Sequence, residues 1–221
     1  MSRIIVNGTI PSIGATFGPA TNITAITNAS PAVATFAAAH GIVIGDYVEI
    51  TASGWPLLQG RVFRASAVST NDITLLGLDT SSTALFPTGG AAGSNGRRII
   101  TRTAITQVNA DQLTVNGGEQ QFQEGQYIDS SLQFRYPTLK TPINVEMGVD
   151  YDGSLGYWTT VRAAEASLTN YPIFLAYPGG LGFAVGTGIW TVSAAPALAG
   201  NSVQKRTINV ALASLFTEYT S

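Results

Sequence analysis

The chain has one histidine, His40, in the stretch AAAHGIVIGD. A serine triad would need it, and a general base near neutral pH would most naturally be it. Gly41 follows directly, so the residue reads as the end of a strand entering a turn. A Gly-x-Ser-x-Gly elbow is missing, and Gly93-Ser94-Asn95-Gly96 has the wrong spacing for one. Asp150 and Asp152, in VDYDG, open like a calcium loop but lack the third ligand and the distal glutamate, so they read as caps for a following helix. Asp46 with Glu49, and Glu119 with Glu124, are carboxylate pairs in turns or polar loops without the aromatic enclosure of a sugar cleft. Both pairs are expected to be solvated. The glycine-rich run before Arg97-Arg98 lacks the Gly-Lys-Ser/Thr of a phosphate loop, and no helix follows it. Arginines so placed suit a solvated edge or a subunit contact. With no cysteine in the chain, disulfides, thiolate metal sites and cysteine nucleophiles are excluded together. No catalytic residue, cofactor or metal is expected, and the chain does not read as an enzyme.

The elements around these residues carry few charges. There are 11 Lys and Arg and 13 Asp and Glu in 221 residues, or 11%, and none falls in 4–45 or 166–204. Ordinary soluble domains carry roughly 25%. A compact chain of 23.0 kDa should expose about 9,600 Å², or about one charge per 400 Å². That interval is the size of the largest apolar patch a monomer usually tolerates. A surface so poor in charge is better explained if other copies cover it, as in a building block of an assembly. The net charge of −2 and a pI near 5.3 lack the basic stripe of a nucleic-acid binder. Pro172, Pro178-Gly179-Gly180, Gly186, Gly188 and Pro196 interrupt the charge-free stretch 166–204, so it is not expected to span a membrane. The opening MSRIIVNGTIPSIG has no continuous apolar run and does not read as a secretory signal.

Short β-branched runs punctuated by Gly, Asn, Asp and Pro predict a mainly β fold. Ile4-Ile5-Val6 reads as a first strand. NITAIT, AVATFAA, YVEIT, GRVFRASAVS and ITLLGL then form a five-strand module over about 22–79. Residues 79–96 are small and of low complexity, and predict a flexible loop and a boundary, giving an N-terminal region, 1–97, and a core, 98–221. RRIITRTAITQV resumes strand character, EQQFQEGQ reads as a polar loop, and YIDSSLQFRY alternates as a half-buried strand. After INVEMGVDY comes one helix, over about 155–169, with Leu155, Tyr157, Trp158, Val161 and Leu168 on one side and Arg162 poised to pair with Glu165. YPIFLAYP, GIWTVSAAP and VQKRTINVALAS finish the chain as strands, the last two joined at Ala199-Gly200-Asn201. Trp55, Trp158 and Trp190 are expected as core or interface anchors.

The order TPINVEMGVDY, DGSLGYWTTVRAAEASL, YPIFLAYPGG, IWTVSAAP, KRTINVALAS resembles the tail tube proteins of long, non-contractile-tailed bacteriophages. The upstream VNGGEQQFQEGQYIDSSLQFRYP is similar to that family's polar loop, strand and proline-marked bend, so the likeness covers about 98–221. The segment 22–79, with NASPAV, AHG and GDYVEI, is similar to small β modules of phage structural proteins. The resemblance implies a β-sandwich or barrel with one flanking helix, assembled as rings of six that stack into a hollow, DNA-conducting tube of the virion tail, built in the host cytoplasm. It implies contacts with further copies, with tape measure, tail terminator and tail-tip or initiator proteins, and DNA passing without specific binding. For stacking contacts the sequence offers the loop 79–96 with Arg97 and Arg98, and the 115–125 loop with Glu119, Gln121, Phe122 and Glu124; Phe122 is apolar in polar surroundings. A tail terminator, a capsid decoration protein, a tail-tip component and a carbohydrate-binding β-sandwich using Trp55, Tyr127 and Tyr157 are the competing readings.

Overall fold

Alternating apolar and polar residues between turn formers produce strands through nearly the whole chain. The computed structural model describes residues 8–129, 131–195 and 203–220; the strand expected at Ile4-Ile5-Val6 and the turn at Ala199-Gly200-Asn201 lie outside them. In chain order the elements are β1 Ile10–Phe17, β2 Thr21–Ile26, β3 Ala32–Phe36, β4 Tyr47–Ala52, β5 Val62–Ser69, β6 Asp72–Leu76 and β7 Ser94–Ala104. There follow β8 Val108–Asn116, β9 Gln120–Gln126, β10 Gln133–Lys140, β11 Asn144–Asp150, α1 Tyr157–Ser167, β12 Tyr171–Ala176, β13 Phe183–Val192, β14 Lys205–Leu212 and β15 Thr217–Tyr219.

The five strands expected between 22 and 79 all form, and β7 makes them a barrel. Their order is β2-β3-β6-β5-β4-β7, and β2 pairs back onto β7 through Thr21↔Gly96 to Ile23↔Ser94, closing the circle. In β3 the alternation is strict, with Ala32, Ala34 and Phe36 buried. They meet Ile23, Val48, Phe63 and Leu75 in one apolar cluster. Burying each large side chain there contributes about 1.5–3 kcal/mol. The segment 79–96, expected to be flexible, is pinned to this barrel. Phe86 and Ala91 are buried, Asn28 Nδ2 donates to the carbonyls of Thr80 and Phe86 at 3.0 and 2.8 Å, and Trp55 Nε1 donates to Pro87 O at 2.9 Å. Small residues there let the chain lie close on the barrel end.

Strand β7 is long enough to serve a second sheet, β7-β1-β12-β13-β14-β11-β8, with β15 added beside β13. Helix α1 packs on β13, β1 and β7. Its Trp158 and Val161 join Ile13, Met147, Trp190 and Ile208 in the second core. The helix is shorter than its sequence pattern suggests. Leu168 is not on the buried face but ends the helix in a left-handed conformation, φ 52°, and is exposed. Arg162 donates to the Tyr151 hydroxyl at 3.1 Å, and the Glu165 carboxylate accepts the Val192 N–H at 2.9 Å; these bonds replace the expected pair. A third cluster, Val62, Ile99, Phe174, Val185 and Tyr219, joins barrel to second sheet. Tyr219 fastens the joint, its hydroxyl accepting from Arg64 N and donating to Leu76 O at 2.9 and 3.2 Å. Burial pushes that hydroxyl's pKa up to about 12.

Candidate assembly surface

Among the described residues strands β9 and β10 pair only with each other, in register from Gln133↔Gln126 to Pro137↔Phe122, with a shift before Lys140↔Gln120. They prolong the β8–β11 ribbon, whose last pair is Asn116↔Asn144. Between the two ribbons stands a bend. Gly117 and Gly118 have φ of 98° and 79°, and a Cβ on Gly117 would lie 1.9 Å from Pro142 O. Only glycine allows that backbone and that approach. Past the bend, Gly118 N donates to Thr141 O and Thr141 N to Glu119 O, at 3.1 and 2.9 Å, so the hairpin leaves the body already paired.

This arm is exposed on both faces. Phe122, Tyr127, Ile128, Leu132, Tyr136 and Leu139 all stand in solvent, Phe122 at 55%. Two sequence expectations change here. EQQFQEGQ is a strand and not a loop, and YIDSSLQFRY, read as half buried, supplies the tip and the start of β10. The alternation in that segment is real, but among the described residues no surface covers it. Tyr127, Phe134 and Tyr136 pack in a row with their rings tilted to one another, ring centres 4.7 and 4.9 Å apart. Glu124 forms an ion pair with Arg135 across the ribbon. Glu119, Gln121, Phe122 and Glu124 are therefore brought together on the arm or at its root.

Arg97 and Arg98 are elsewhere, at the start of β7, with partners of their own. Arg97 Nε donates to Glu49 Oε2 at 2.7 Å, and its guanidinium lies 3.9 Å from the Phe17 ring centre. Arg98 meets Asp46 at 2.7 Å and donates to Gly41 O at 2.9 Å. Asp46 and Glu49, expected to be solvated, are thus paired, and Glu49 is only 3% exposed. Burial pushes the Glu49 carboxyl's pKa up, while the Arg97 bond and charge pull it down. Other chemistry-bearing residues have hydrogen-bond partners within the fold. His40 bonds Thr70 O and receives the Ile42 N–H, both at 3.0 Å. Asp150 accepts from Asn109, and Asp152 accepts from Ser154 N and Oγ ahead of α1. All three tryptophans are buried.

Sequence reading missed a groove between barrel and second sheet. It comprises two adjoining cavities of about 520 and 450 Å³ that share Pro56, Gln59 and Ala213. The first is polar and reaches Glu49, Arg97 and Asn170. The second is lined mainly by apolar side chains and opens at the arm's root, Lys140–Ile143. Its walls come from residues far apart in the chain, so no local pattern announces it. Among the described residues there is no group of three or more His, Cys, Asp or Glu able to hold a metal, and no helix long and apolar enough to cross a membrane.

Comparison with curated proteins returned no match. The family model of the phage tail tube protein, TTP, matches residues 53–221, from within the barrel through the arm to the C-terminus. A mainly β chain poor in charge, with an apolar arm that its own body leaves uncovered, is consistent with what that match establishes: the chain belongs to the phage tail tube protein family, structural proteins of the virion tail that associate with copies of themselves into a tube.

Proposed function

We propose that copies of this chain form rings, six to a ring, that stack into the hollow tube conducting phage DNA during ejection. The observation that carries this reading is the β9–β10 arm. A ribbon of 21 residues, Gln120–Lys140, with apolar side chains on both faces is stable in water only if another surface receives it. Glu119, Gln121, Phe122 and Glu124 serve as stacking contacts, Phe122 as the apolar anchor. Arg97 and Arg98 act less directly, holding β7 against β4 at the barrel end. The chain exposes 12,104 Å², more than the about 9,600 Å² of a compact chain of its mass, and much of that surface awaits neighbours.

The outer face of β8, β11 and β14 carries Thr114, Glu146, Thr207 and Asn209 opposite the buried Val145, Met147, Ile208 and Val210. A wall of short neutral groups and acids, Asp111 lining one pocket with Glu146 and Asp150 standing opposite Lys205, suits DNA that must slide, since a basic wall would release counterions and hold it. Tape measure, terminator and tip-initiator proteins are the further partners of this reading, and the host cytoplasm its place of assembly. Negative-stain electron microscopy of the concentrated protein tests it. Hollow tubes or stacked rings support the reading, and Phe122→Ala should shorten or abolish them. Rings that never stack favour a terminator or decoration protein. Monomers that bind glycans saturably favour a carbohydrate-binding module.

A further inference from the structure

The arm's apolar tip and the groove at its root are complementary, and one molecule cannot join them. The root residues Lys140–Ile143 form one wall of the apolar cavity, whereas the tip lies nine residues beyond Gln120, about 30 Å away along an extended strand. The tip reads Tyr127-Ile128-Asp129, all exposed: two large apolar groups followed by an acid. The cavity presents Leu57, Phe86, Ile143 and Leu215, with Arg61 and Lys140 beside them. Leu57 and Leu215 are themselves about half exposed there. Neither Arg61 nor Lys140 forms an ion pair with a carboxylate among the described residues. Arg61 donates to the Thr217 hydroxyl at 3.2 Å, and its buried Nε has no acceptor among the described residues. A cation held half buried beside an apolar cavity favours an occupant that is apolar and negative.

We propose that the apolar groove receives the arm tip of a second copy, with Tyr127 and Ile128 in the cavity and Asp129 against Arg61 and Lys140. The proposal rests on the tube reading and names the surface on which each arm lands. A contact between unlike surfaces of identical subunits repeats without closing when it also translates each copy along the axis, as between stacked rings, which is how a stack grows. The apolar pair supplies affinity, and the acid fixes orientation.

Because the chain has no cysteine, introduced thiols report the contact cleanly. Ile128→Cys combined with Leu215→Cys should give, on mild oxidation of assembled protein, a ladder of covalent multimers on a non-reducing gel. Ile128→Cys with Leu168→Cys, whose side chain is exposed at the end of α1, should give none. In parallel, Asp129→Lys and Lys140→Glu should each reduce tube yield at least tenfold, and the double exchange should restore it. All these positions are exposed, so unchanged thermal unfolding is expected of the monomers. Tubes without the Leu215 ladder, or single exchanges that assemble normally, overturn the groove assignment and leave the tube reading standing. Wild-type protein that forms neither rings nor tubes overturns the tube reading, and the groove assignment falls with it.

Discussion

The barrel and the arm both carry aromatic and aliphatic side chains on paired strands, yet only one of them can bury what it carries. In the barrel β2 returns to β7, each strand has two neighbours, and Phe36, Trp55, Phe63 and Leu75 share an interior. The arm has two strands and no interior, and its aromatic residues pack only along its own length. A two-stranded ribbon alone is at best marginally stable. Alternation therefore states that a face will be covered, not which molecule covers it.

Removing the arm should separate the two regions most sharply. Glu119 and Thr141 are hydrogen-bonded across the root, so a two-residue turn can replace Gln120–Lys140. The expected result is complete loss of tubes in electron micrographs, with a calorimetric unfolding temperature within a few degrees of wild type. Loss of the fold as well would show that the arm belongs to the core. Trp55→Ala should do the reverse. It deletes a buried indole and its bond to Pro87 O, and costs about 3–5 kcal/mol in denaturant unfolding; protein that remains folded should still stack at low temperature.

Much of the barrel was legible because its signals are local: Asn28 to Pro31, Gly45-Asp46 and Asn71-Asp72 punctuate strands whose period is two. The helix showed itself in a breaker-free run between Asp152 and Pro172. Closure by β7 was not legible, because no local rule pairs Ile23 with Ser94. Nor was the placing of β1 against both β7 and β12, where Ile13 meets Thr103 and Ile173. Glu49 looked solvated because its partner Arg97 lies 48 residues away. The arm's acids and Phe122 were visible by composition, whereas the groove is formed by tertiary contact alone.

Smaller changes probe the joint between barrel and sheet. Tyr219→Phe removes both bonds that tie β15 to β5 and β6. It should cost about 1–2 kcal/mol in chemical unfolding, with assembly lost only if the joint opens. The smallest effect comes from Glu49. Its pKa is raised on folding, with burial the dominant cause, so the folded state holds the proton more tightly. Its contribution to stability is fully present below the unfolded carboxyl's pKa and is lost as pH rises through the folded one. Relative to Glu49→Gln, the wild-type unfolding midpoint should fall as pH rises across that acid window, against the opposite trend from Asp79 and Asp152, whose hydrogen bonds lower their pKa values. An unchanged slope would show that Arg97 compensates fully for burial.

The circle made by β2 and β7 bears on how such a chain survives before it is used. Sparsely charged, β-rich molecules are the kind that stick edge to edge and precipitate. A strand with both neighbours in place offers no unpaired amides to a stranger. One short pairing, Thr21↔Gly96 to Ile23↔Ser94, withdraws β2, which would otherwise be an edge strand of the barrel, from that hazard. Topology here does part of what surface charge does in other proteins, in that it keeps a backbone edge from pairing between molecules.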